Sequence, residues 1–291
     1  MSEAPAGATA AGRAPFGERL AAATAARGPL CVGVDPHPSL LAAWGLADDA
    51  DGLRRFSLTV LEAVADVAAA LKPQVALYER HGSAGLAVLE ELLAAARDAG
   101  MLTIADAKRG DIGSTMAAYA DAWLRDGSPL AADSVTLSPY LGFESLRPAL
   151  DLAAETGRGV FVLALTSNPE GASVQHVGGD ASVARRIVDA AAAENRRYAG
   201  SPEGHGSVGL VVGATVGGAV DALGLDLAAM AGPILAPGLG AQGATPADLR
   251  TTFGAAYGQV LGTSSRDILT GGPTAAGVRE RAERTLAELA G

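Results

Sequence analysis

The chain has 291 residues, of which 49% are apolar and 19% are charged, so an intrinsically disordered protein is excluded. There are 32 acidic and 22 basic side chains, and the formal net charge of -10 makes nucleic acids and anionic membranes poor partners. An anionic ligand would therefore need a local cationic site. The single cysteine, Cys31, excludes an internal disulfide framework and a cysteine-rich metal site.

The N-terminal segment, residues 1–15, is rich in Ala, Gly and Pro and lacks the apolar core of a secretory signal. It predicts a flexible extension in front of one domain that spans residues 16–291, with no linker inside it. The sequence also lacks an uninterrupted apolar run of about 18 residues, the minimum for a membrane span. We therefore expect a cytoplasmic protein.

Short apolar segments that predict strands alternate with longer Ala- and Leu-rich segments that predict helices. The predicted strands are residues 30–35, 70–75, 102–108, 134–137, 160–165, 208–212, 234–236 and 259–261. The predicted helices lie near residues 53–70, 85–99, 112–125, 143–156, 182–199, 216–223, 246–253 and 273–289. Asp111 is expected to cap the helix that begins at Ile112, and Thr245 followed by Pro246 is typical of another helix start.

This alternation predicts a parallel sheet whose strands are connected by helices. Eight strand–helix units in 291 residues favour an α/β fold of the closed (β/α)8 barrel type, in a single domain, over an open sheet. The strands lack strict polar alternation, as expected when both of their faces are buried. Function in such barrels resides at the carboxyl ends of the strands, so polar residues at those ends are the candidates.

The end of the third predicted strand carries the most informative charges. Side chains alternate along a strand, so Ile104, Asp106 and Lys108 share a face that points inward in a barrel. Buried charges are costly unless they are paired, and Asp106 and Lys108 can pair and also take part in chemistry. The residues alone leave two simpler interpretations open. Asp106 and Lys108 could form an ordinary strand-end ion pair, and Asp111 could only cap a helix.

Charged residues also occur at the first two predicted strands. Lys72 interrupts the apolar second strand and is followed at once by Pro73, which favours an amine facing the cavity. The alternative is a lysine that extends to the surface. Asp35 ends the first strand, where it could also be a loop cap. We expect Asp35 and Lys72 to meet Asp106 and Lys108 at one rim of the barrel.

The last two predicted strands are followed by segments suited to binding an anion. A glycine-rich loop that includes Pro237 and Gln242 follows the seventh strand, and Ser265 and Arg266 follow the eighth. Barrels often bind phosphate at these two loops, where glycines admit backbone amides and an arginine offers two parallel donors. The alternative is a flexible loop beside a surface arginine. The spacing does not match a Walker loop.

Taken together, these motifs resemble the orotidine 5′-phosphate decarboxylase family, in the longer branch common in bacteria (type 2). The resemblance rests on Asp106-x-Lys108-x-x-Asp111 with Lys72 upstream, and on the strings Val-Gly-Val-Asp-Pro-His-Pro, Leu-Thr-Ser-Asn-Pro-Glu-Gly and Ala-Pro-Gly-Leu-Gly-Ala-Gln-Gly. It extends over nearly the whole chain. The Asp-x-Lys-x-x-Asp element alone is also found in hexulose-phosphate synthases and ketogulonate-phosphate decarboxylases.

The resemblance implies roles for these residues in converting orotidine 5′-monophosphate to uridine 5′-monophosphate, the last step of de novo pyrimidine synthesis. Lys108 would protonate C6, Asp106 would lie beside the substrate carboxylate, and Lys72 would bridge Asp106 and the ribose. Asp111, Ile112 and Thr115 would reach into the site of the neighbouring subunit, which implies a homodimer with shared sites. Asp35 would bind the ribose, Ser167 the pyrimidine, and Gln242 and Arg266 the phosphate. Pro237 and Ser265 would be further substrate-binding residues.

The expected mechanism needs neither a metal nor another cofactor, because the lysine ammonium can itself stabilise a carbanion and protonate it. Two competing hypotheses remain. One is a metal-dependent sugar-phosphate lyase on the same barrel. The other is a catalytically inactive barrel that only binds nucleotides, although such a protein would not need four alternating charges in one pocket.

Overall fold

Strands and helices alternate along the chain, of which the computed structural model describes residues 12–198, 205–240 and 243–290. Within these residues, eight parallel strands close into a barrel in which each strand pairs with the next and the eighth pairs with the first. This confirms the predicted (β/α)8 barrel in a single domain. The strands are β1 Leu30–Val34, β2 Ala70–Pro73, β3 Leu102–Arg109, β4 Ser134–Leu137, β5 Gly159–Leu165, β6 Val208–Val212, β7 Ile234–Pro237 and β8 Val260–Ser264.

Helices surround the barrel and also cover its amino-terminal end. In the described residues the α-helices are α1 Phe16–Arg27, α2 Pro38–Ala43, α3 Ala50–Val64, α4 Ala76–Glu79, α5 Gly82–Asp98, α6 Gly113–Leu124, α7 Arg147–Thr156, α8 Ala172–Gln175, α9 Val183–Tyr198, α10 Ala219–Ala222, α11 Pro246–Phe253, α12 Arg266–Leu269 and α13 Ala275–Ala290. Short 3-10 helices are formed by Phe143–Leu146, Pro169–Gly171, Gly179–Ala181 and Gly254–Gln259.

Most predicted element boundaries agree with the structure to within a few residues, but some predictions were wrong. Helix α1 was not predicted, although it is a full 12 residues long. The helix predicted to run to Ala70 ends at Val64, because Ala70 already belongs to β2. Strand β8 starts one residue later than predicted, because Gln259 belongs to a 3-10 helix.

The two predicted helix starts had different outcomes. The Thr245 hydroxyl accepts a hydrogen bond from the Asp248 amide at 3.2 Å, and the Asp248 carboxylate accepts one from the Thr245 amide at 2.8 Å. This reciprocal pair confirms the predicted start of α11. The prediction for Asp111 was wrong. Helix α6 begins at Gly113, its N-terminal cap position is Ile112, and the Asp111 carboxylate only accepts a hydrogen bond from the Ile112 amide.

Helix α1 packs under the amino end of the barrel. The fully buried Phe16 ring meets the ring of Phe161 edge-on, with centroids 6.0 Å apart and planes at 86°. Gly159 makes this approach possible, because a Cβ at that position would lie 2.2 Å from the Phe16 ring. Leu20 joins the same cluster, which continues upward through inward-facing side chains such as Ile104. The apolar filling leaves only the carboxyl end of the barrel for a polar site.

Strand β3 carries an irregularity just below its carboxyl end. Ala105 pairs with Val135 and Arg109 pairs with Leu137, so β3 uses four residues where β4 uses two. Within this bulge, Lys108 adopts a φ of 49°, in the left-handed region that non-glycine residues rarely occupy.

Part of the predicted N-terminal extension, residues 1–11, lies outside the described residues. The described part forms no regular structure before Phe16, and Arg13 donates hydrogen bonds to the Thr156 carbonyl at 2.5 Å and to Asp126 at 3.0 Å. Across the described ranges, no helix combines the length and the apolar character needed to cross a membrane.

Candidate active site

A cavity of about 340 Å³ opens at the carboxyl end of the barrel. Its apolar wall includes Leu163, Val211 and Leu235, and its remaining lining is largely polar. The structure brings seven of the residues predicted from the sequence to this cavity: Asp35, Lys72, Asp106, Lys108, Pro237, Ser265 and Arg266.

The carboxylate of Asp106 is the centre of the polar cluster. Its Oδ1 accepts hydrogen bonds from Lys108 Nζ at 2.6 Å and from the Thr136 hydroxyl at 3.0 Å. Its Oδ2 accepts from Lys72 Nζ and from Gln74 Nε2, both at 3.0 Å. Four donors from three adjacent strands or strand ends therefore hold one buried carboxylate in a single orientation.

The cluster keeps its charges despite burial. Burial by itself would raise the pKa of Asp106, but the ammonium groups of Lys72 and Lys108 outweigh it and hold that pKa well below its usual value. Burial would likewise lower the pKa of Lys72, but the carboxylates of Asp106 and Asp35 outweigh it and hold that pKa above its usual value. At neutral pH the array therefore contains an ionised carboxylate between two amines.

Asp35 lies next to this array at the end of β1. Its Oδ2 accepts a hydrogen bond from the Ser265 hydroxyl at 2.6 Å, while its buried Oδ1 has no hydrogen-bond partner among the described residues. Gly33 permits the close approach of the first and last strands, because a Cβ there would lie 2.6 Å from Ser265 Cβ. The free carboxylate oxygen is available to accept a hydrogen bond from a ligand hydroxyl.

Two members of the cluster, Gln74 and Thr136, were missed in the sequence. Gln74 follows Lys72 by two residues, and Thr136 follows Ser134 by two residues in the fourth strand. A period of two along a strand that ends at the cavity could have identified both.

A stronger missed signal is the lysine count. Lys72 and Lys108 are the only lysines among the chain's 22 basic residues, and all of the others are arginines. Arginine keeps its proton under all ordinary conditions, whereas an amine can give one up. Both lysines contact Asp106 in the cavity, where an amine that can transfer a proton could act on a ligand.

The phosphate loops are only partly described. Pro237, Ser265 and Arg266 line the cavity, whereas Gln242 lies outside the described residues. Arg266 is exposed, and it forms no ion pair with any acidic side chain in the described ranges. Its guanidinium is therefore available to an anion at the cavity rim.

The segment after β5 reaches the cavity through the neighbours of the predicted residue. Thr166 and Asn168 line the cavity, and Ser167 between them is not among the lining residues. Thr166 is held in place by Gln175, which accepts a hydrogen bond from the Thr166 amide at 2.8 Å. The structure thus brings this loop, but not Ser167 itself, to the cavity wall.

Three further predicted residues do not line the cavity. Ile112 is 62% exposed, Thr115 is also exposed, and Asp111 is half-buried. The Asp111 carboxylate accepts a hydrogen bond from the Ile112 amide at 2.8 Å. Among the described residues, Asp106 is the carboxylate that pairs with Lys108.

The cysteine below the charge cluster does not provide a nucleophile. Burial raises the pKa of the Cys31 thiol to about 12, so the thiol is neutral and unreactive. In the described part of the chain, His, Cys, Asp and Glu side chains form no group of three placed to hold a metal ion.

Comparison with known proteins assigns this site to a family. The model of the orotidine 5′-phosphate decarboxylase / HUMPS family matches residues 28–280. The chain belongs to this family. Among relatives, the orotidine 5′-phosphate decarboxylase of Salinispora arenicola is 56% identical over 275 residues, covering 94% of this chain and 96% of its own. That of Streptomyces coelicolor is 57% identical over 277 residues, covering 94% and 97%.

Solved structures in the family have the same barrel. The crystal structure assigned to an orotidine 5′-phosphate decarboxylase of Streptomyces avermitilis superimposes with a TM-score of 0.89 at 56% identity, covering 95% of each chain. The OMP decarboxylase of Leishmania donovani gives a TM-score of 0.74 at 31% identity, covering 95% of this chain and 98% of its own. The family resemblance expected from the sequence is therefore confirmed over almost the entire domain.

Proposed function

We propose that this chain decarboxylates orotidine 5′-monophosphate to uridine 5′-monophosphate, without a metal or other cofactor, in the cytoplasm. The observation that carries the proposal is the buried array in which Asp106 contacts both Lys72 and Lys108 at the mouth of the barrel. Two relatives at 56% and 57% identity bear the name of this activity. A charged nucleotide does not cross membranes unaided, which supports a cytoplasmic location where its precursors are made.

The chemical step breaks the bond between C6 of the pyrimidine and its carboxylate carbon. The electron pair stays on C6, CO2 leaves, and the carbanion takes a proton from Lys108 Nζ. The Lys108 ammonium attracts the developing negative charge and then transfers its proton, so it acts both as electrostatic stabiliser and as general acid. Its side chain is 45% exposed, so water can restore the lost proton before the next turnover.

Asp106 has two roles in this proposal. It orients the Lys108 side chain through the 2.6 Å contact between them, and it repels the carboxylate of the bound substrate. Two unit charges ~4 Å apart at an effective dielectric constant of ~20 interact by about 4 kcal/mol. That energy corresponds to roughly three decades in rate, which leaves most of the acceleration to Lys108 and to the energy of binding the phosphate.

The remaining residues would bind the rest of the nucleotide. The free oxygen of Asp35, together with Lys72, would hold the ribose hydroxyls, and the loop around Ser167 would contact the pyrimidine. Arg266, with Pro237, Gln242 and Ser265 in the same two loops, would bind the phosphate. Binding energy gained at the phosphate can then be used to close the site over the reacting carbon.

We further propose that the working unit is a homodimer with shared sites. The loops after β3 and β4 leave the barrel side by side, since the Ser138 amide, just after β4, donates a hydrogen bond to the carbonyl of Arg109, the last residue of β3, at 2.7 Å. They expose Ile112 at 62%, Tyr140 at 80% and Leu141 at 54%, a group of apolar side chains that a second copy would cover. Asp111, Ile112 and Thr115 would then enter the partner's cavity, where Asp111 supplies a second carboxylate near Lys108.

The direct test of the activity is the loss of orotidine 5′-monophosphate absorbance on addition of purified protein, with and without EDTA. We expect turnover that EDTA leaves unchanged. Absence of turnover would overturn the proposed reaction. Turnover abolished by EDTA and restored by Mg²⁺ would instead favour the metal-dependent lyase chemistry found elsewhere on this barrel.

The shared site has a separate test, in which two inactive variants, Lys72→Ala and Asp111→Ala, are mixed. A hybrid dimer has one site that lacks both residues and one site that lacks neither, so activity should return to one site per hybrid. Subunit exchange is verified with mass-tagged chains. Verified exchange without recovered activity would contradict a site built across the interface, whatever the activity of the wild type.

A further inference from the structure

Thr136 in β4 is hydrogen-bonded both to the backbone amide of Lys108 and to the carboxylate of Asp106, without lining the cavity itself. We propose that Thr136 is a positioning residue that fixes Lys108 and Asp106 relative to one another through its single hydroxyl. The inference rests on the proposed decarboxylase function, because it assigns Thr136 a part in that reaction.

The bulge in β3 creates the need for such a residue. Between the pairs formed by Ala105 and Arg109, β3 advances four residues while β4 advances two, so Lys108 falls outside the regular strand pairing. A buried amide without an acceptor is strongly disfavoured. The Thr136 hydroxyl oxygen accepts this amide's hydrogen bond at 2.9 Å, and Thr136 is fully buried. The left-handed backbone at Lys108, with a φ of 49°, is thereby held by a side chain.

The same hydroxyl also fixes the carboxylate. A hydroxyl has one proton to donate, and Thr136 donates it to Asp106 Oδ1 at 3.0 Å. That oxygen is also the one that accepts from Lys108 Nζ at 2.6 Å. Thr136 therefore joins the backbone of Lys108 to the acceptor of the Lys108 ammonium in one closed set of hydrogen bonds.

The opposite side of the bulge is fixed independently of Thr136. The Arg109 guanidinium lies 5.7 Å from the Tyr119 ring centroid and 5.9 Å from that of Trp123, and it also pairs with Glu79. With Arg109 held outside the barrel, loss of the Thr136 hydroxyl frees the backbone at Lys108 without unfolding the strand. The expected defect is thus a displaced amine in a folded protein.

The test compares Thr136→Val, which keeps the side-chain shape and removes the hydroxyl, with Thr136→Ser, which keeps the hydroxyl. Misplacement of a catalytic group by about 1 Å can cost about a hundredfold in rate. We expect Thr136→Val to lower kcat by about tenfold to a hundredfold with KM changed less than about threefold, since Thr136 does not line the cavity. Thr136→Ser should retain kcat within about threefold of the wild type.

Thr103→Val is the matched control. Thr103 is 3% exposed, and its hydroxyl also bridges a backbone amide and a carboxylate, those of Asp133, at 3.1 Å and 3.2 Å. It lies near the other end of β3, so its substitution should lower the melting temperature as Thr136→Val does while leaving kcat unchanged. A parallel fall of kcat in both variants would show a merely structural role and overturn the inference.

A second measurement does not depend on activity. Because Lys72 and Lys108 are the only lysines in the chain, [15N]lysine labelling gives an NMR spectrum with just two backbone amide signals. Thr136→Val should shift the Lys108 amide and accelerate its hydrogen exchange at least about tenfold, with the Lys72 amide unchanged. An unchanged Lys108 amide signal would overturn the inference whether or not the wild type is active. An inactive wild type would instead overturn the proposed function.

If Thr136→Val fails to fold, Thr136→Cys replaces it, since a thiol is a weaker donor and acceptor of similar size. Its kcat should fall between those of Thr136→Val and Thr136→Ser in a series ordered by hydrogen-bond strength. Equal kcat in the cysteine and serine variants would contradict the proposal.

Discussion

The two ends of the barrel differ in what they bury: the amino end buries apolar side chains and the carboxyl end buries charged ones. At the amino end, α1 covers the strands with apolar side chains, and the fully buried Phe16 and the nearly buried Leu20 continue the core. At the carboxyl end, Lys72 and Asp106 are buried at 5% and 8% exposure although both are charged. Apolar burial stabilises a fold, whereas buried ion pairs contribute little net stability because desolvation offsets their attraction. The amino end therefore stabilises the fold, whereas the carboxyl end holds reactive groups that add little to stability.

Replacing the amine of the carboxyl end should produce the largest effect. Lys108→Ala removes both the proton donor and the charge that stabilises the carbanion. Each of these typically contributes about two to four decades, so we expect kcat to fall at least about 10⁴-fold. The side chain is 45% exposed, so the melting temperature should change little. Absorbance assays and calorimetry on the same sample measure the two quantities, and turnover equal to that of the wild type would refute the mechanism.

The converse substitution at the amino end should affect stability and leave the chemistry intact. Phe16→Ala opens a cavity beneath the barrel and should lower the free energy of unfolding by about 3–5 kcal/mol. Phe16→Leu, the control, should cost clearly less. Urea denaturation measures the loss, and kcat assayed well below the melting temperature should stay within about twofold of the wild type. A large loss of kcat in folded Phe16→Ala would break the proposed division between the two ends.

At the carboxyl end, replacing a residue far from the reacting carbon should still lower activity if that residue binds the phosphate. Arg266→Ala removes the free guanidinium at the cavity rim, and we expect kcat/KM to fall by more than about tenfold, equivalent to about 1.4 kcal/mol. Arg279→Ala is the control, because Arg279 is on α13 and pairs with Asp66 on the surface. A loss below about tenfold for Arg266→Ala, or an equal loss for Arg279→Ala, would contradict a phosphate-binding role.

The smallest expected effect concerns acid stability. The pKa of Asp106 is held well below its usual value in the folded protein. The ionised Asp106 therefore adds to the free energy of unfolding above about pH 4, the pKa of an unfolded Asp, and this stabilisation is lost as the pH falls further. The amide introduced by Asp106→Asn cannot titrate, so the difference in free energy of unfolding between wild type and this variant should shrink below about pH 4. Urea denaturation at several pH values measures this difference, and a constant difference down to pH ~2.5 would contradict the assignment.

A surface carboxylate sharpens this comparison. The pKa of Asp66 is also lowered, mainly by its hydrogen bond from Arg279, but this pair is exposed to solvent. The difference in free energy of unfolding between wild type and Asp66→Asn should therefore shrink in salt at about 0.5 M. The corresponding difference for Asp106→Asn should remain nearly unchanged. Equal salt sensitivity of the two variants would argue that the Asp106 cluster is not effectively buried.

The barrel and the inward face of its third strand could be predicted from the amino-acid sequence alone. Alternating apolar strands and Ala-rich helices require a parallel sheet enclosed by helices, and the period of two along β3 brings Ile104 and Asp106 to the inside. The presence of only two lysines, Lys72 and Lys108, was also available from the sequence. Helix α1 was not predicted, and its role appears only in the tertiary structure, where Phe16 meets Phe161.

The hydrogen-bond partners of the buried charges could not be predicted from local sequence, because they come from distant strands. Asp106 is fixed by Thr136, 30 residues away in sequence, and by Lys72, 34 residues away. These groups meet because neighbouring strands pair in one particular register, which depends on closure of the whole barrel and on the bulge in β3. Lys108 lies within this bulge and contacts Asp106, whereas the Asp111 carboxylate accepts a hydrogen bond from the Ile112 amide. Local sequence specifies which face a side chain occupies, whereas the packing of distant strands specifies which atoms it touches.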